Sequence, residues 1–103
     1  DLAILGFGLD GHFASIFPCH LNVNKFIDIR NEPKILRTEE MGDPHVARLT
    51  LNLAAFSRIK NISIICNSNE KYKVINDARN NADLPIYHLL KLEYPNISII
   101  KDF

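Results

Sequence analysis

Residues 2–5, "LAIL", run without a polar side chain straight into "GFGLDGH", residues 6–12. A short apolar run closed by glycines reads as a buried strand and the turn at its carboxyl end. The pattern returns twice: "NISIIC" at 61–66 ends in the polar cluster "NSNE", and "NISIIKDF" closes the chain. Between them, "EKYKVINDARNN" places Val74, Ile75 and Ala78 on one helical face, with Lys71 at its amino-terminal end. Strands that alternate with helices pair in parallel, because the crossover helix returns the chain to the same end of the sheet. The expected fold is therefore a layered α/β fold with a largely parallel sheet. Ligands of such sheets bind beyond the carboxyl ends of the strands. The loops at 6–12 and 67–71 follow two such ends and are expected to open at one edge.

The other segments carry weaker signals. "GHFASIF" reads as a short helix or helical turn, and residues 19–40 as surface loop with a short strand. "MGDPH" is a turn signalled by Asp43-Pro44. "VARLTLNL" is rich in strand formers, and "NLAAFSRIK" follows as a short helix presenting Leu53, Phe56 and Ile59. "LPIYHLLK" fits a short helix or an extended segment.

The chain has 103 residues, so residues 1–103 make a single domain or part of one. Twelve basic residues balance twelve acidic ones. That excludes nucleic-acid or membrane-surface binding driven by bulk charge, so any anion site must be local. No apolar run approaches the roughly 20 residues of a membrane span. Cys19 and Cys66 form neither a C-x-x-C pair nor a zinc spacing, which predicts two reduced thiols in a cytoplasmic protein. The histidines His20, His45 and His88 have no partner at ligand spacing, so they are expected at the surface and no metal site is expected. A parallel strand at the very start needs neighbours on both sides, and the expectation is that the chain is the C-terminal part of something longer.

Gly6, Gly8 and Gly11 spell G-x-G-x-x-G, the spacing of a dinucleotide turn. Such a turn seats a pyrophosphate on the amino terminus of a long helix. Here Asp10 would repel the phosphates, and Pro18 stands seven residues after Gly11, where it removes a helical donor. The turn fits better as a catalytic loop carrying Asp10 and His12.

"LGFGLDGHFASIFP" closely resembles the signature of 6-phosphogluconolactonases, roughly L-G-x-G-x-D-G-H-x-A-S-L-F-P. "ARLTLNLAAFSRIKNISIICNSNEKYKVI" is similar to that family's next block, an R-x-T-L strand, a helix, an apolar strand and a G-x-x-K-like turn. The resemblance covers nearly the whole chain. It implies a Rossmann-like α/β/α sandwich, of which this chain looks like the C-terminal half. It also implies hydrolysis of 6-phospho-D-glucono-1,5-lactone in the pentose phosphate pathway, without a cofactor, by a monomeric cytoplasmic enzyme whose partner is its small-molecule substrate. Glucosamine-6-phosphate deaminases share G-x-D-G-H but end in a form like I-A-F-N-E-P. In that register their glutamate falls on Phe17, which cannot titrate, so lactone hydrolysis is the expected chemistry. A deaminase-like enzyme or a non-catalytic sugar-phosphate binding domain is the alternative.

Lactone hydrolysis needs a base for water, stabilisation of the oxyanion and an anchor for the phosphate. The resemblance makes His12 the catalytic histidine, and imidazole ordinarily titrates near neutrality. Asp10, two residues earlier, is placed to orient the ring, to touch sugar hydroxyls or to cap a helix. Gly6, Gly8 and Gly11 permit close backbone approach, and their N–H groups are candidate oxyanion donors. Lys71, at a helix start, matches the family's lysine suited to phosphate, although the glycine expected before it is absent. Arg48 stands where R-x-T-L has its arginine, either reaching substrate or holding the loop by a salt bridge. Ser15 lacks a G-x-S-x-G elbow and is read as a helix residue.

Overall fold

A computed structural model describes residues 1–103. Three apolar runs become strands β1 (Leu2–Leu5), β4 (Asn61–Cys66) and β5 (Asn96–Lys101). They form one parallel sheet in the order β1-β4-β5. Leu2 pairs with Asn61 and Leu5 with Ile64 on one side, and Asn61 pairs with Asn96 through Cys66 with Lys101 on the other. The central strand β4 alternates buried and half-buried residues, with Ile62, Ile64 and Cys66 fully inside.

Helix α3 (Asn69–Ala78) makes the crossover from β4 toward β5. Ser68 caps it by accepting a hydrogen bond from the Lys71 N–H at 3.2 Å. Ile75 and Ala78 are buried and Val74 packs at the margin of the core. Helix α4 (Pro85–Leu90) follows, with proline at its first turn, where the missing N–H costs nothing. It buries Ile86 and Leu89.

The strand expected in "VARLTLNL" is present as β3 (Leu49–Leu51), but it lies outside the parallel sheet. It pairs antiparallel with β2 (Ile35–Arg37) as a separate ribbon. Asn52 then caps the short helix α2 (Leu53–Phe56) and ties the ribbon to the body. Its Oδ1 accepts from Ala55 N–H at 3.0 Å and Lys34 N–H at 3.1 Å, and its Nδ2 donates to the carbonyls of Lys25 and Glu32. The region read as surface loop also contains a single helical turn, α1 (Asn24–Ile27), which buries Phe26.

The segment at 11–17 is not helical, contrary to its sequence reading. Phe13 bridges both Phe7 and Ile16, and Ala14 takes φ 49°. The chain doubles back because burying Phe13 and Ile16, both completely enclosed, outweighs the local preference for a helical turn. Pro18 therefore does not cut a helix short. It begins a 3₁₀ turn at Pro18–His20.

Candidate active site

The loop between β1 and Phe17 is built around its own backbone. Gly8 N–H donates to the His12 carbonyl at 2.9 Å, and Gly11 N–H donates to the Gly8 carbonyl at 3.0 Å. These two donors are spent inside the turn, which corrects the expectation that they serve an oxyanion. Each glycine is needed for a different reason. Gly11 has φ 83°, and a Cβ there would meet Leu84 Cβ at 2.8 Å. Gly8 lies directly beneath His12: a Cβ there would collide with His12 Cε1 and Nδ1 and stand 2.9 Å from Asp10 Oδ1. Around Gly6, space is open.

Asp10 holds His12 twice. Its Oδ1 accepts from the His12 backbone N–H at 3.1 Å and from the ring Nδ1 at 2.5 Å. A carboxylate only accepts, so Nδ1 carries the hydrogen and the Nε2 lone pair is left outward, with no protein partner. Phe17 lies flat against the imidazole, with centroids 4.4 Å apart and planes within 15°. The His12 ring is thus fixed at an edge by Asp10, from below by Gly8 and on a face by Phe17. The helix-capping role for Asp10 falls away, since no helix follows it.

His12 and Asp10 open into a cleft of about 840 Å³ that also includes Ser15, Phe17, Asp43 and Arg48. The far wall is the 41–46 turn, where Met41 bridges Val46 and Gly42 adopts φ 79°. Arg48 donates to the Pro44 carbonyl at 2.5 Å and sits 6.0 Å from the Phe17 ring centre. It holds the loop through a carbonyl rather than a salt bridge, and it brings the cleft its cation. Ser15 belongs to the doubled-back segment, with its N–H donating to Thr50 Oγ1 at 3.2 Å, so it is not a helix residue. Lys71 does not line this cleft. It stands at the neighbouring strand end, 5.7 Å from the Phe7 ring centre. The loops after β1 and β4 do open at one edge, as the parallel topology requires.

His20 is the residue whose position the sequence reading missed. It is 2% exposed and stacked on Phe26 at 4.0 Å, not at the surface. Its Nδ1 accepts from the Phe17 N–H at 3.0 Å, and its Nε2 reaches Glu39 Oε1 at 3.3 Å. With Nδ1 accepting, the ring hydrogen lies on Nε2 and is donated to Glu39. Glu39's own backbone N–H holds its carboxyl below the usual range, and this bond adds to the effect. Cys19, His20 and Glu39 offer ligand atoms within 4.8 Å of one another. A metal at that place would have to displace the proton on Nε2, so the donor set is already committed to hydrogen bonding. Burial, then the Glu39 charge, push the Cys19 thiol up, away from thiolate chemistry. The sequence signal for His20 was its adjacency to the motif at Phe17-Pro18; its burial had no local signature. The dinucleotide alternative also fails structurally, since the element after the glycines is a three-residue 3₁₀ turn with no helix terminus for a pyrophosphate.

The fold and the cleft define a class first: an α/β protein with a hydrogen-bonded Asp–His pair at the carboxyl edge of a parallel sheet. Residues 1–94 match the family of glucosamine-6-phosphate isomerases/6-phosphogluconolactonase, and the chain belongs to that family. A 6-phosphogluconolactonase from Caulobacter vibrioides is 30% identical over 100 residues, covering 96% of this chain and 43% of its own. One from Thermotoga maritima is 33% identical over 88 residues, covering 84% and 36%. Among solved structures, the 6-phosphogluconolactonase of Trypanosoma brucei superimposes with a TM-score of 0.76 at 28% identity, covering 99% of this chain and 39% of that one. The chain thus spans under half the length of the relatives it matches. The expectation of a C-terminal half is off: what the matches support is similarity to a part of those longer relatives. No helix is long and apolar enough to cross a membrane.

Proposed function

We propose that this chain carries the hydrolytic site of a 6-phosphogluconolactonase acting on 6-phospho-D-glucono-1,5-lactone. The observation that carries the reading is the 2.5 Å Asp10–His12 bond, which leaves Nε2 free at the mouth of a cleft holding Arg48. His12 Nε2 takes a proton as water attacks the lactone carbonyl, and Asp10 balances the imidazolium that forms. Collapse of the tetrahedral intermediate breaks the bond from C1 to the ring oxygen. The proton on Nε2 then passes to that oxygen, giving the open-chain acid. His12 and water carry every proton, so the reaction as written calls for no metal or cofactor.

Arg48 in the cleft and Lys71 at the next strand end are the two cations proposed to anchor the substrate, with Lys71 taking the phosphate. Gly6, Gly8 and Gly11 contribute shape: they let His12 sit low and let substrate approach the turn. The deaminase alternative would need a titrating group at Phe17, and that position is filled by an aromatic ring packed on the base. Reduced thiols and a small metabolite substrate fit the cytoplasm as the place of action.

The test is hydrolysis by the full-length protein of the phosphorylated lactone against its unphosphorylated counterpart, with glucosamine 6-phosphate as a third substrate. The reading expects rapid turnover of the first, weak turnover of the second and no ammonia from the third. Ammonia release at a comparable rate would overturn it.

A further inference from the structure

Phe17 is held at both ends of its peptide by one residue. The His20 N–H donates to the Phe17 carbonyl at 2.9 Å, and the Phe17 N–H donates to His20 Nδ1 at 3.0 Å. The His20 ring is itself clamped, with Phe26 parallel to it at 4.0 Å and 5° and Glu39 taking its Nε2 hydrogen. The Phe17 ring meets the His20 ring edge-on at 6.2 Å and the His12 ring face-on at 4.4 Å. A continuous chain of contacts therefore runs Glu39–His20–Phe17–His12. Phe17 is the only one of these that both packs in the body and touches the base.

We propose that His20 is a positioning residue for the active site: locked in its Nε2–H form by Glu39, it fixes Phe17 as the platform on which His12 lies. This rests on the reading of His12 as the base, and it adds a residue outside the cleft to the machinery. A buried neutral histidine that only filled space would need neither a backbone partner on Nδ1 nor a carboxylate on Nε2. Asp10 holds the His12 ring at its Nδ1 edge and Phe17 covers its face, and aligning the Nε2 lone pair with an attacking water depends on both.

Two variants separate positioning from packing. His20→Leu keeps apolar volume and removes the acceptor for Phe17 N–H, while His20→Asn places an oxygen near the Nδ1 position and loses the stack on Phe26. We expect His20→Leu to lower kcat about 10- to 100-fold, the scale of a misaligned reacting group, with KM within about two-fold. His20→Asn is expected to recover most of kcat despite comparable loss of thermal stability. A purely structural role would reduce the melting temperature of both and leave kcat per folded molecule unchanged in each, and that result overturns the proposal. Nuclear magnetic resonance gives a readout independent of turnover. In the native protein the Phe17 amide nitrogen should show scalar coupling to His20 Nδ1, and the His12 ring protons should carry an upfield ring-current shift. The shift should vanish in His20→Leu and persist in His20→Asn. Absence of the coupling in the native protein refutes the proposal even if both variants fail to fold. Should His12→Ala keep full kcat while His20→Leu moves the His12 ring, the catalytic reading fails and the positioning stands. Should His12→Ala be inactive while His20→Leu matches native protein in kcat and ring shift, the positioning fails alone.

Discussion

Replacing each motif glycine by alanine should give three different outcomes, because each Cβ would enter a different environment. At Gly8 the added carbon collides with the His12 ring and comes within 2.9 Å of Asp10 Oδ1. The ring is a side chain and can swing out, so the fold survives. What is lost is the Asp10 bond and the Phe17 stack, about 1–3 kcal/mol together. Activity should fall far more, by roughly 10²–10⁴-fold in kcat, because the proposed base is no longer positioned. At Gly11 the carbon meets Leu84 Cβ at 2.8 Å and Leu84 Cα at 3.2 Å, and φ is 83°. Here the backbone must move. A left-handed non-glycine residue costs about 1–2 kcal/mol and overpacking adds about 1–3, so stability should drop by roughly 2–5 kcal/mol. At Gly6 nothing lies within 4 Å, and Gly6→Ala should stay within about 0.5 kcal/mol of native, the range of an unconstrained site. Urea unfolding and steady-state lactone hydrolysis on the same three preparations give the comparison. The reasoning is refuted if Gly8→Ala keeps native kcat, or if Gly6→Ala is as destabilising as Gly11→Ala.

Asn52→Ala removes four hydrogen bonds made by a side chain with no exposure. It should cost about 2–4 kcal/mol in urea unfolding, from unsatisfied backbone groups and a lost helix cap. Lys71→Ala should raise KM for the phosphorylated lactone and leave an unphosphorylated lactone almost unaffected, whereas Arg48→Ala should impair both; equal losses on both substrates for Lys71→Ala would remove its phosphate role. Asp28 accepts from Arg30 through both carboxylate oxygens, which lowers its carboxyl pKa to about 2. A depressed folded value means that the contribution of this pair to stability is present above the unfolded value near 3.8 and is lost as pH falls through about 2. Carboxyl-carbon titration should therefore show Asp28 moving up toward 3.8 in Arg30→Ala, and an unmoved midpoint would disprove the assignment of cause. Thiol titration of native protein should detect Cys19 alone and slowly, with Cys66 reacting only after unfolding, since Cys66 is fully buried.

Much of the parallel sheet could be read from residue order, because "LAIL", "NISIIC" and "NISIIKDF" are apolar enough to be strands in almost any context. Helix α3 was equally plain, with its polar start and its Val74-Ile75-Ala78 face. The Asp10-Gly11-His12 turn was legible because a strand end, three glycines and two titratable groups coincide within seven residues. What escaped depends on distant partners. Residues 12–16 have local helix character, yet Phe13 is drawn into bridges with Phe7 and Ile16, and no short window shows that. "LTL" announces a strand but not which strand it joins, and Ile35–Arg37 is too short to be recognised as its partner. His20 looked like a surface histidine because its three partners lie at Phe17, Phe26 and Glu39, spread over 23 positions and joined only by folding. For Arg48 the residue order offered substrate contact or a salt bridge to the loop, and the structure gives it the Pro44 carbonyl in place of an acid.

The central claim is that His12, oriented by Asp10, is the base that activates water. Steady-state hydrolysis of 6-phosphogluconolactone by full-length native protein and by its His12→Ala variant tests it most directly. The comparison is made near neutral pH, with spontaneous hydrolysis subtracted. The account predicts a fall in kcat of roughly 10²–10⁴-fold with KM changed little, since the two cations proposed to anchor the substrate are untouched. A variant that keeps native kcat would contradict it and leave His12 as a structural member of the turn.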